Sequence, residues 1–195
     1  MKAHDPERSL AELIEGNARF AAGAGVHPRQ DARRRREVLE KGQYPFAAVV
    51  ACSDSRVPPE LVFDQGLGDL FVVRTAGNLI DDLGIASLEY AAAHLEVPLV
   101  VVMGHSRCGA VTAAVEGEKA PGRLSVIHAA LAASVEKAKD RSGDVIDAAA
   151  RENVKSLVAA LESREGVLKT LVDRGALRVV GAFYDIERGS VEFIG

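Results

Sequence analysis

Two continuous apolar runs limit what this chain can become: Phe46-Ala47-Ala48-Val49-Val50-Ala51 and Leu99-Val100-Val101-Val102-Met103-Gly104. Each follows a proline, Pro45 or Pro98, and each ends in polar residues. Short runs of β-branched residues with no polar alternation predict strands buried on both faces, and hence a parallel sheet covered by helices. Open sheets of that kind bind ligands beyond the carboxyl ends of their strands. At that end stand Cys52-Ser53-Asp54-Ser55-Arg56 after the first run and His105-Ser106-Arg107-Cys108 after the second.

These two stretches hold both cysteines of the chain together with a histidine, a carboxylate and a guanidinium. Two thiolates and one imidazole form a zinc ligand set, and with no third cysteine to close it the fourth position stays open, as in catalytic zinc sites. His105 and Cys108 can point the same way if Cys108 opens the following helix, whose first amides would favour a thiolate. Other readings of the same residues exist. A cysteine at the end of a core strand can be a small hydrophobe, a Cys52–Cys108 disulfide would require an oxidising compartment, and Asp54 with Arg56 can be a surface ion pair of little energetic worth.

Cys-Ser-Asp-Ser-Arg-Val at 52–57 and His-Ser-Arg-Cys-Gly at 105–109 resemble the signature pair of the β-class carbonic anhydrases. The similarity extends to residues 42–45, 64–78, 87–90 and 180–185, and so to nearly the whole chain. It implies one Zn²⁺ per subunit on Cys52, His105 and Cys108, and reversible hydration of CO₂ to bicarbonate and a proton by attack of zinc hydroxide. It implies that Asp54, held by Arg56, orients the nucleophile. Gln43 matches the family's active-site amide, Phe71 and Tyr90 its pocket aromatics, Ala76 a small apolar position after a strand, and His94 a histidine proposed as proton shuttle. A homodimer or homotetramer is implied, with Gln43, Phe71 and Tyr90 crossing the subunit interface. One departure matters: members with a regulatory bicarbonate pocket have a tryptophan and a glycine before the first zinc cysteine. This chain has no tryptophan and carries Ala51 there, so the site is expected open, with Asp54 on Arg56. Rival readings are a related zinc lyase acting on CS₂, and a redox or sulfur-transfer protein using Cys52 as nucleophile.

The expected architecture is α/β: a mostly parallel sheet of four strands plus an antiparallel edge strand, flanked by helices, with a protruding N-terminal helix. Residues 1–195 form one domain, of which 1–40 are a helical arm. Residues 1–8 are expected to fray, and Ser9-Leu10-Ala11-Glu12 reads as a capping box opening the first helix. That helix is expected to cover a partner subunit, the alternative being that it packs on its own sheet. The basic run Arg33 to Arg36 reads as a solvated helix face or a set of intersubunit pairs. Further strands are expected at 70–74, 178–184 and 191–194. Helices are expected from Pro58 or Pro59, then at 84–95, 110–115, 124–139, 145–161 and 165–173. A net charge of −4 gives no footprint for nucleic acid or an anionic membrane. No apolar run reaches membrane-spanning length, and no secretory segment is recognised. The expectation is a cytoplasmic protein.

Overall fold

A computed structural model of the chain describes residues 5–139 and 141–194. Its sheet has five strands: β1 Ala47–Cys52, β2 Leu70–Thr75, β3 Leu99–His105, β4 Arg178–Tyr184 and β5 Val191–Ile194. Their spatial order is β2-β1-β3-β4-β5. The first four run parallel, and β5 pairs antiparallel with β4 at the edge. Every residue of β1 and β3 is buried, which accounts for the unbroken apolar runs.

Eight helices among the described residues surround the sheet: α1 Pro6–Ala21, α2 Ala32–Lys41, α3 Pro59–Val62, α4 Asp82–His94, α5 Gly109–Glu116, α6 Leu124–Ala138, α7 Val145–Ser163 and α8 Val167–Asp173. Alternate strand residues point to opposite faces. Val49, Ala51, Val101 and Met103 therefore pack with Leu13, Val57, Val62 and Phe63 on one side, while Ala48, Val50, Val100 and Val102 pack with Leu88, Val154 and Leu168 on the other. No helix is long and apolar enough to cross a membrane among the described residues.

Most elements fall within two residues of their expected bounds, and the differences have local causes. The first helix starts at Pro6, not Ser9: the Asp5 carboxylate accepts the Arg8 N–H at 2.9 Å and caps it. Ser9 is a buried helix residue, and 5–8, expected to fray, form the cap and first turn; residues 1–4, the rest of that expectation, lie outside the described residues. The Asp81 carboxylate likewise caps the Gly84 N–H and starts α4 at Asp82. Gly166, at φ 145°, delays α8 to Val167.

The first helix docks along its own domain. Its face of Ser9, Leu13, Gly16 and Asn17 is buried, and the Asn17 amide donates to the carbonyls of Val62 and Gly189 while its oxygen accepts the Val191 N–H. Packing on its own chain thus describes that face, and Ile14 on another face stays about half exposed. Arg33 to Arg36 lie in α2, which has no buried residue. Within the chain, Arg34 reaches Asp69 and Glu37 and Arg33 lies 3.9 Å from Asp31.

Candidate metal centre

The chain passes from β1 to β2 on one side and later returns to β3 on the other, so the β1 and β3 carboxyl ends form a switch point of the sheet. Cys52 is the last residue of β1 and His105 the last of β3. Cys108 caps α5, and the amides of Ala110 and Val111 face its sulfur. One ligand atom from each of the three residues lies within 4.8 Å of the others, and all three residues are buried.

This geometry suits a tetrahedral cation. The two sulfurs are 3.9 Å apart, against about 3.8 Å for two thiolates at about 2.3 Å from zinc with a tetrahedral angle. His105 Nδ1 lies 2.8 Å from the Ser106 carbonyl, so it carries the proton and donates it there. Nε2 is then a bare acceptor, and it is buried without any partner. An orphaned imidazole lone pair beside two sulfurs is costly unless something electropositive occupies the gap. The carbonyl–imidazole contact also fixes the ring as second-sphere partners do in metal sites.

The sulfurs are prepared for charge. Cys52 Sγ accepts the N–H groups of Asp54 at 3.4 Å and Gly77 at 3.3 Å. Proton sharing with Cys108 draws the Cys52 thiol below its ordinary value, against burial and aided by those amides. The same sharing pushes Cys108 up, burial adding to the shift. An apolar wall of Val111, Leu131, Ala149, Ala150 and Phe183 packs behind the two cysteines.

Asp54 and Arg56 stand at the lip. Arg56 Nε donates to Oδ1 at 3.0 Å and Nη2 to Oδ2 at 2.7 Å, a bidentate pair that fixes the plane of the carboxylate. Those bonds, with the Arg56 N–H, hold the Asp54 carboxyl at about 2 despite partial burial. The expected Asp54–Arg56 pair is therefore formed.

The remaining expected residues divide in two. Ala76 opens the 3₁₀ turn Ala76–Asn78 directly after β2, one residue before Gly77, whose N–H meets Cys52 Sγ. Gln43, Phe71, Tyr90 and His94 do not reach Cys52, His105 or Cys108 of their own chain. Thr75 is the β2 residue level with Cys52, and Phe71 lies four residues back, about 13 Å along the strand. The Phe71 and Tyr90 rings lie tilted with centroids 6.4 Å apart, and those of Tyr90 and His94 5.3 Å apart, while Gln43, Tyr44, Tyr90 and His94 line one groove at that far end.

Two residues that touch the centre were not read from the sequence as such. Gly77, at φ 70°, gives its N–H to Cys52 and its carbonyl to the Asn153 amide; its position directly after a strand was the available signal. Arg74 donates to the Cys52 carbonyl at 2.8 Å and the Asp54 carbonyl at 2.6 Å, and a charge in an otherwise apolar strand was the signal there.

Comparison with known proteins agrees with this geometry. Residues 47–191 match the family model described as carbonic anhydrase. The chain is 40% identical over 196 residues to a carbonic anhydrase of Mycolicibacterium smegmatis, covering 98% of this chain and 95% of that one. It is 40% identical to carbonic anhydrase 2 of Mycobacterium tuberculosis, covering 95% and 91%. Among solved structures it resembles the β-carbonic anhydrase CcaA, with TM-score 0.74, 30% identity and 95% of each chain covered. Two tetrameric β-carbonic anhydrases of Sordaria macrospora are also similar, with TM-score 0.76, 28% identity and 96% and 97% covered. By these matches and its Cys-His-Cys centre, the chain belongs to the β-class carbonic anhydrases and is an enzyme of that family.

Proposed function

We propose that this enzyme hydrates CO₂ reversibly to bicarbonate and a proton, using one Zn²⁺ per subunit held by Cys52, His105 and Cys108. The observation that carries the reading is the orphaned His105 Nε2 facing two sulfurs at metal-bridging distance, with an ionised carboxylate at the lip. Bound there, zinc supplies the Lewis acidity that makes water a nucleophile near neutral pH.

The chain's own residues do the rest. Asp54 is held as a carboxylate by Arg56, so it can only accept a hydrogen bond. Accepting one from the attacking water turns that water's lone pair toward the carbon of CO₂, and Arg56 keeps the acceptor from swinging toward the cation. The amides of Asp54 and Gly77 take part of the Cys52 charge, which leaves the centre more electrophilic than two unassisted thiolates would. Ala76 gives an apolar wall for a small apolar substrate.

Gln43, Phe71, Tyr90 and His94 act in this reading on the partner subunit's centre. β2 has β1 on one side and, among the described residues, no strand on the other. A second copy related by a twofold axis near Val73 brings its Phe71 end against the Thr75 end of the first. Gln43 then donates to a bicarbonate oxygen, Phe71 and Tyr90 line the pocket, and His94 carries the released proton outward. The assembly is a homodimer or homotetramer, as the Sordaria macrospora neighbours are tetrameric. Two free buried thiols 3.9 Å apart suit a reducing cytoplasm.

The test is stopped-flow CO₂ hydration on metal-stripped protein and on the same sample with zinc restored. Turnover that returns with zinc supports the reading. Zinc-loaded protein that is folded and turns over no CO₂ at any pH overturns it.

A further inference from the structure

Arg74 is the one arginine of β2, and its guanidinium makes no ion pair among the described residues. Instead Nε donates to the Cys52 carbonyl at 2.8 Å and Nη2 to the Asp54 carbonyl at 2.6 Å. A half-buried cation without a carboxylate is costly. Here both donors are directed at the backbone of a single three-residue segment that begins with a metal-ligating residue and ends with the lip carboxylate.

The two bonds have a mechanical result. The Cys52 carbonyl and the Asp54 carbonyl both turn toward Arg74, and the Ser53 N–H meets the Thr75 carbonyl at 2.9 Å. With three backbone groups of the segment tied to β2, the Asp54 N–H is left facing Cys52 Sγ and its side chain faces Arg56. Arg56 alone does not supply this: its side chain is half exposed, sits two residues along the same loop and reaches beyond it only to the Arg107 carbonyl in the loop after β3, so it ties the carboxylate to loops and not to the sheet. Arg74 fixes the loop relative to the sheet. Displacement of about 1 Å in a group that orients a nucleophile costs about a hundredfold in rate.

We propose that Arg74 is a positioning residue for catalysis, setting Asp54 by clamping the carbonyls of Cys52 and Asp54 to β2. The proposal rests on the reading of Asp54 as the acceptor that orients the nucleophile.

The test is a double-mutant cycle of Arg74→Ala and Asp54→Ala in the zinc-loaded enzyme, read by CO₂ hydration, zinc content and the visible spectrum of the cobalt-substituted proteins. Arg74→Ala is expected to keep stoichiometric metal and the tetrahedral cobalt bands, since its three ligands remain. It is expected to lower kcat about ten- to a hundredfold with a smaller change in KM, and to cost nothing further in the Asp54→Ala background. Wild-type turnover in Arg74→Ala, an equal loss in both backgrounds, or loss of the cobalt bands overturns the proposal. If Asp54→Ala alone turns over like wild type, the reading of Asp54 fails instead, and Arg74 loses the residue it would position. Where Arg74→Ala yields no folded protein, Arg74→Lys carries the same cycle. A single ammonium cannot reproduce the two-pronged clamp, so a loss of several-fold confined to the Asp54 background is expected, and no loss or a background-independent loss overturns the proposal.

Discussion

Arg56 grips Asp54 through two parallel hydrogen bonds and gives a third, at 3.2 Å, to the Arg107 carbonyl. One guanidinium thereby joins the loop after β1 to the loop after β3, the two segments beside Cys52, His105 and Cys108. Arg107 itself sits at φ 54°, a conformation non-glycine residues rarely adopt, and in this strained turn its carbonyl faces Arg56. Arg56→Lys keeps the charge and loses the fork. We expect kcat/KM for CO₂ hydration to fall about ten- to a hundredfold with zinc content unchanged. A lysine variant as fast as wild type would show that charge alone suffices.

A cation bound at the orphaned His105 Nε2 would act on stability as well as on chemistry. A cation present at about a thousand times its dissociation constant adds about 4 kcal/mol to the native state. Chelation should lower the melting temperature of wild type by several degrees. Cys108→Ser, which replaces a thiolate ligand by a hydroxyl that stays protonated, should purify with little zinc and melt at the same temperature with or without chelator. Equal zinc content in the two proteins would contradict the ligand assignment.

How much of this was legible in the sequence depended on whether the signal was local. β1 and β3 are buried on both faces, so their apolar runs announced them, and the polar residues at their ends announced the centre. The Asp54–Arg56 pair was legible because both residues lie on one short loop. The start of α1 was misread because Asp5 and Ser9 are both good caps, and only the buried contacts of Ser9's face decide between them. Arg74 was passed over because its partners are 20 and 22 residues away, across a strand pairing that no local pattern reveals. Gln43, Phe71 and Tyr90 are named by resemblance, which also implies that they cross a subunit interface, and the β1–β2 register sets Phe71 at the end of β2 away from Cys52.

Asp64 gives a stability dependence on pH away from the centre. Its side chain is 1% exposed and accepts from Arg19 at 2.6 Å and from the Val26 and His27 amides at 3.1 and 2.9 Å. Burial alone would raise this carboxyl, but Arg19 and the two amides outweigh it and hold it below its ordinary value. A group whose folded pKa is depressed stabilises the fold above the unfolded value, about 3.9, and loses that contribution as pH falls through the folded pKa. Wild type should therefore exceed Asp64→Asn in melting temperature at pH 7, with the gap closing below about pH 4. A gap that stays constant from pH 7 to pH 3 would assign the effect to packing.

Leu13 and Ile14 are neighbours in α1 with opposite surroundings, at 0% and 48% exposure. Leu13 packs against the sheet and α3. Leu13→Ala should cost about 2–5 kcal/mol by denaturant unfolding, and Ile14→Ala within about 0.5 kcal/mol if the monomer alone is considered. A large loss for Ile14→Ala that grows weaker with rising protein concentration would mean that a second chain covers that face.

The separation of Gln43 from its own centre can be tested by mixing subunits. Gln43→Ala disables the groove end of a chain and Asp54→Ala disables the centre, so each homo-oligomer should be nearly inactive if every site draws one residue from each subunit. In a mixed dimer, one site receives both faults and the other receives neither, because the intact centre of the Gln43→Ala chain meets the intact Gln43 of the Asp54→Ala chain. Random exchange makes half the dimers mixed, so activity should recover to about a quarter of wild type. Recovery requires exchange, which labelled subunits report independently by energy transfer. Exchange without any recovered activity would place Gln43 outside the partner's site and would leave the groove it shares with Tyr90 and His94 without a catalytic part.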